Sequence, residues 1–199
     1  MYRLVEHLLR ASQDCGRVLR ERQKRSLGHF VLDALEDVGP SASGLVDCLV
    51  AAFPAQFRDE AEFEGEPVAF YKKAMLLASE LHKRFAAEDP RFAFSDMGAL
   101  PGIVDNVVPA VLRQAGVLEV ADSLAAKIDA NVPLPAGSAD EVALRACAVH
   151  AVELMAEELG GEDAGVTPTC CSDWLWGTLG KSTDYRTCER HATKDTFFY

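Results

Sequence analysis

Apolar residues in this sequence recur every three or four positions and almost never every two. That spacing lines one face of a helix, whereas a half-buried strand needs strict alternation. The clearest case runs from Ser138 to Leu159. Ser138-Ala-Asp-Glu141 has the form of a capping box, Val142, Val149, Val152, Ala156 and Leu159 make the stripe behind it, and Gly160-Gly161 stops it. Leu4, Leu8, Cys15, Val18 and Leu19 give the same period between Tyr2 and Arg25. Gly39-Pro40 ends a helix from His29 to Val38, and Ser41 or Ser43 caps another from Gly44 to Phe53. Pro67 suits the first turn of a long helix carrying Tyr71, Met75, Ala78, His82 and Phe85 on one face. Residues 86–104 read as irregular, and shorter helices are predicted over Asn106–Gln114, Leu118–Ile128 and Cys171–Leu179. These patterns predict an all-α fold, a single multi-helix domain over residues 1–199 without repeats, a length sufficient for one core.

Charge narrows the function classes. The formal net charge is −11, which argues against a broad nucleic-acid surface, because phosphate backbones are held by dense Lys and Arg. Basic residues gather in the first 27 positions (Arg3, Arg10, Arg17, Arg20, Arg22, Lys24 and Arg25), and the remainder holds 13 basic against 28 acidic residues. A basic strip on one helix is either a solvated face or a docking patch for an acidic partner. No apolar run approaches the ~18 residues of a membrane span, and no secretory leader is visible, so the chain is expected to be soluble and cytoplasmic. The cysteines at 15, 48, 147, 170, 171 and 188 lack the pattern of a disulfide frame.

Four features carry possible chemistry. Asp105, in Gly102-Ile-Val-Asp-Asn-Val-Val-Pro109, precedes a predicted helix. A carboxylate there meets unpaired N–H groups and the positive end of the helix dipole, either as a cap or as an anion set against positive charge on a reacting sugar. Arg145 falls on the apolar stripe with Glu141 one turn earlier, which suits a structural clamp or an anionic ligand. Asp173 stands beside Trp174, with Trp176 following; the tryptophans are either core or a stacking wall for a flat heterocycle. Cys170-Cys171 and Cys188-x-x-His191 lack the paired two-residue spacings of a structural zinc site, and no metal or other cofactor is expected.

Together these pieces follow a known order. Phe57-Arg-Asp-Glu-Ala-Glu-Phe-Glu-Gly65 and Val68-Ala-Phe-Tyr-Lys-Lys-Ala74 resemble the FRDEAxYxGxxVxFYKRAQ segment of the queuosine salvage proteins. Phe94-Ser-Asp96, Asp105, Pro109, Val111-Leu-Arg113 and Gly116-Val-Leu118 are similar to that family's FxD…FADYRVPQVLRxLGVL. Glu141-Val-Ala-Leu-Arg145 and Ala151-Val-Glu153 resemble its GSxxEVEIRAxxIxAVE, Trp174-Leu-Trp176 its DYxLWD box, and His191 to Tyr199 its ending.

The resemblance implies an all-helical fold similar to the helical DNA glycosylases. It implies hydrolysis of the N-glycosidic bond of queuosine 5′-phosphate, releasing queuine without a metal. A small-molecule nucleotide is then the partner, with no direct nucleic acid and no membrane. Asp105 takes the position of the catalytic aspartate and Ile103 that of a substrate-stacking Phe. Asp173 and Trp174 are the nearest match to a base-recognising Asp-Tyr pair, while Lys72 or Arg145 would attract the 5′-phosphate. The sequence departs where FADYR becomes Ile-Val-Asp-Asn-Val and where Gly177 replaces an aspartate. Tyr2 to Phe30 already resembles the middle of the family, so an N-terminal portion that adds a histidine and aromatics to the pocket is expected to be missing. Uncovered helix faces would then favour self-association, and an inactive paralogue acting as a helical binding or structural protein is the alternative.

Overall fold

The computed structural model describes residues 2–198; Met1 and Tyr199 lie outside the described residues, as do the side chains of Tyr2, Arg3, Leu4 and Glu162. The chain is mostly helical and divides into two compact units. Residues 2–59 and 71–99, with Phe198, form the first, and residues 60–70 and 100–197 the second.

The first unit holds α1 (Tyr2–Glu21), α2 (Leu27–Val38), α3 (Ala42–Ala52), the single turn α4 (Pro54–Phe57) and, beyond the insertion of the second unit, α5 (Lys72–Phe85). Helix α2 starts two residues ahead of the expected His29 and is capped by the Ser26 hydroxyl, which accepts from His29 N. Ser41, one of the two caps expected for α3, accepts through Oγ from Gly44 N at 2.9 Å. Asp96 reinforces the second cap from far along the chain, taking Ala42 N at 2.6 Å, Ser43 N at 3.0 Å and Ser41 Oγ–H at 2.8 Å. Phe53 is fully buried at the α3–α4 joint, edge-on to Phe30 at 4.9 Å and to Phe57 at 6.3 Å between ring centres. Leu45, Leu49, Ala74 and Ala78 complete the core where α3 packs on α5.

The second unit opens with a hairpin in place of the helix start predicted at Pro67. Strands β1 (Glu60–Phe63) and β2 (Glu66–Ala69) pair antiparallel, with Glu62 opposite Pro67. Glu64 and Gly65 both adopt positive φ (52° and 87°), the two-residue turn whose twist suits a hairpin. Pro67 is tolerated because a two-stranded ribbon consists of edges, where a missing N–H costs no ladder bond. The helix begins five residues later, after Tyr71 turns into the left-handed region at φ 43°.

Three helices then build the second core: α6 (Val107–Gln114), α8 (Ala139–Glu158) and α9 (Pro168–Gly177), with α7 (Asp122–Asp129) lying between α6 and α8 in sequence. Val104, Val108, Val111 and Leu112 pack against Ala148, Val152 and Ala156 of α8 and against Cys171 and Leu175 of α9. Burying such side chains is worth about 1.5–3 kcal/mol each for the larger ones. Val149 is half-buried against this core, whereas Leu159, predicted as the end of the stripe, follows the last helical residue and is 59% exposed. A short parallel bridge links β3 (Leu134–Pro135) to β4 (Thr193–Lys194), fastening the tail to the segment that leads into α8. Among the described residues, no helix is long and apolar enough to cross a membrane.

Candidate active site

The loop of residues 100–106 enters α6 under tight constraint. A Cβ on Gly102 would lie 2.8 Å from Val152 Cγ1, so only glycine lets the loop approach α8 this closely. The next residue, Ile103, is buried, and its N–H donates to Ser172 Oγ at 3.1 Å; that hydroxyl in turn donates to Thr169 O at 2.9 Å. Asp105 then accepts from Val107 N at 2.7 Å through Oδ1. The candidate catalytic carboxylate thus also takes a free N–H of the first turn, from one residue ahead of the N-cap Asn106. With 9% of its surface exposed, Asp105 sits at the edge of the interior rather than in open solvent.

Three further buried polar residues gather around that loop. Glu141 and Arg145, one turn apart on α8, are each 2% exposed, as is His191 on the tail. Glu141 Oε1 accepts from Arg145 Nη1 at 3.2 Å, and its Oε2 accepts from Gly137 N at 3.0 Å. The capping-box glutamate is thus turned inward and binds one residue ahead of the predicted partner, while the Ser138 hydroxyl makes no cap bond. Arg145 lies face-on over Phe70, with Cζ 3.8 Å from the ring centre. Ion pairing on one side and an aromatic face on the other hold this guanidinium as a clamp between α8 and the hairpin.

His191 joins the loop through its backbone: Asn106 Nδ2 donates to His191 O at 3.2 Å. Its imidazole pKa is lowered to about 4, first by burial and then by the positive charge of Arg145, against the opposing pull of Glu141 and Asp105. The side chain is consequently neutral at pH 7. Neither Glu141 nor His191 stood among the predicted site residues. His191 opens the tail motif and Glu141 precedes Arg145 by one turn, so both carried a signal, but only the fold shows that they converge.

The other candidates are placed differently. Lys72 opens α5 in the first unit and is half-buried; the neighbouring Lys73 has its pKa lowered by burial and then by the Lys72 charge. Asp173 is half-buried on α9, and Trp174 and Trp176 are 50% and 45% exposed. Two positions apart on a helix, the indoles point in nearly opposite directions. They form neither the core nor one continuous wall, and Trp176 is covered by Lys181, whose Nζ lies 4.5 Å from the ring centre. Cys170 is exposed and Cys171 buried at the start of α9, and among the described residues no three His, Cys, Asp or Glu side chains converge as a metal site.

Comparison with known proteins decides the family, because the model of the queuosine salvage proteins matches residues 2–199. The chain belongs to the queuosine salvage protein family. Three relatives bear the description queuosine 5′-phosphate N-glycosylase/hydrolase. The protein from Sphaerobacter thermophilus is 35% identical over 195 residues, which are 98% of this chain and 58% of that protein. That from Mus musculus is 31% identical over 78% of this chain and 44% of its own length. The Dictyostelium discoideum protein is 31% identical over 85% of this chain and 51% of its own. This member of the queuosine salvage family thus spans about half the length of the curated relatives it matches.

Proposed function

We propose that this chain carries out the reaction named for its relatives, hydrolysis of the N-glycosidic bond of queuosine 5′-phosphate to release queuine for tRNA queuosine salvage. The observation that carries this reading is Asp105: a nearly buried carboxylate, fixed by Val107 N, in the family's order of motifs. As the C–N bond stretches, positive charge builds on the ribose ring, and a preorganised carboxylate lowers that barrier. Water then adds hydroxide to the anomeric carbon, and the base leaves with a proton on its nitrogen, as general acid catalysis requires. Asp105 serves as the electrostatic partner or the covalent nucleophile, the two roles that glycosidase carboxylates take. In this reading Ile103 lines the sugar side, Asp173 reads the base and Trp174 stacks on it. Lys72 and Arg145 are the candidate ligands of the 5′-phosphate, and Arg145 is also engaged by Glu141 and Phe70.

The same reading extends to a fold like that of the helical DNA glycosylases and to a cytoplasmic setting. It also includes self-association through exposed apolar faces such as Val5, Leu8 and Leu9 of α1. The test is a turnover assay on the purified chain, following free queuine by chromatography. Queuine is expected from the wild type and not from Asp105→Asn; release that survives the substitution sinks the role of Asp105. A second reading, a helical binding protein without catalysis, is supported by the sequestered Arg145 and the open Trp174. It predicts saturable queuine binding with no turnover.

A further inference from the structure

The tail around His191 performs a task that the reaction as proposed leaves unassigned. His191 is 2% exposed, with Asp105, Glu141 and Arg145 as the charged groups acting on its ring. Its carbonyl takes the Asn106 side-chain amide at 3.2 Å, and Asn106 is the residue directly after Asp105. The tail is itself anchored: Leu134 N donates to Ala192 O at 2.8 Å, and Leu134 and Pro135 pair with Thr193 and Lys194. On its other side the loop is held by Ile103 N on Ser172 and by the contact of Gly102 with Val152. Asp105 is thus gripped by α8, α9 and the tail.

We propose that His191 and Asn106 are positioning residues for Asp105, the tail tethering the loop ahead of α6 so that the carboxylate keeps its aim at the sugar. This rests on the reading of Asp105 given above. The chemistry favours such a neighbour. A cation at this place would compensate the Asp105 charge and weaken its hold on a developing ribosyl cation, whereas the buried imidazole is neutral at pH 7. A tether matters because a displacement of about 1 Å at a reacting group costs on the order of 100-fold in rate.

Two measurements test the proposal. In the first, the His191 imidazole is followed by 15N NMR through a pH titration in the wild type and in Asp105→Asn. Loss of the carboxylate that raises its pKa is expected to lower the midpoint. An unchanged midpoint overturns the proposal without any reference to turnover.

In the second, Asn106→Ala and His191→Ala are expected to lower kcat by ~10- to 100-fold with KM nearly unchanged. His191→Gln, which keeps a neutral polar side chain, is expected to recover most of the loss. An unchanged kcat in Asn106→Ala, or a rise in KM alone, overturns the proposal. If His191→Ala fails to fold, Asn106→Ala removes the bond to the His191 carbonyl directly, without opening a cavity. A wild-type chain that releases no base overturns the reading of Asp105 instead, and the NMR titration then decides by itself whether the Asp105 charge acts on His191.

Discussion

Gly102 shows how much one missing carbon can decide. With Val152 Cγ1 2.8 Å from where a Cβ would stand, Gly102→Ala forces either the loop or α8 to move. Overpacking of this kind costs about 1–3 kcal/mol, and because Asp105 lies three residues on, turnover is expected to fall further than stability. Urea denaturation of Gly102→Ala, Val152→Ala and the double variant checks this: the double is expected to lose less than the two single losses added, because the Val152 methyl that clashes is gone. At this scale the sequence was partly legible. Asp105 and Arg145 stood out by position, one before a helix and the other on an apolar stripe. His191 did not, because its burial depends on pairing between Thr193 and Leu134, which no local pattern encodes. Arg145 could be read as clamp or ligand until Phe70 was seen beneath it.

Among the elements, α3 has the most unusual support. Its N-terminus is capped by Ser41 and again by Asp96, a carboxylate more than fifty residues away that accepts two backbone N–H groups and a hydroxyl. Burial pushes the Asp96 carboxyl up, but the bonds from Ala42, Ser41 and Ser43 outweigh it, and its pKa ends below the usual carboxylate value. Asp96→Ala is expected to destabilise the first unit by about 2 kcal/mol, since several hydrogen bonds to a charged acceptor are lost together. Amide exchange of Ala42 and Ser43 is the direct measure, and unchanged protection there would refute the assignment. The helices themselves were legible because apolar period and breakers agree. The hairpin was not: β1 and β2 expose most of their residues, so no buried alternation marks them, and Pro67 carried a helix-start signal that the Glu64-Gly65 turn overrides.

For the molecule as a whole, His191 ties folding stability to pH. Its ordinary pKa of about 6.5 in the unfolded chain falls to about 4 in the fold, so between those values the unfolded state binds more protons. Stability is therefore full above about pH 6.5, declines as the pH drops towards 4, and there loses on the order of 3 kcal/mol from this residue. Chemical denaturation of the wild type and His191→Gln across that range measures it, and the two slopes are expected to differ only inside the window. One more property follows from α9. Both tryptophans of the chain lie on that helix, half exposed, so the intrinsic fluorescence of the folded protein originates from a single helix beside the loop that carries Asp105. The protein is in effect labelled by its own composition: if a heterocycle stacks on Trp174 as proposed, part of the emission is expected to be quenched, with Trp176, under Lys181, as the background.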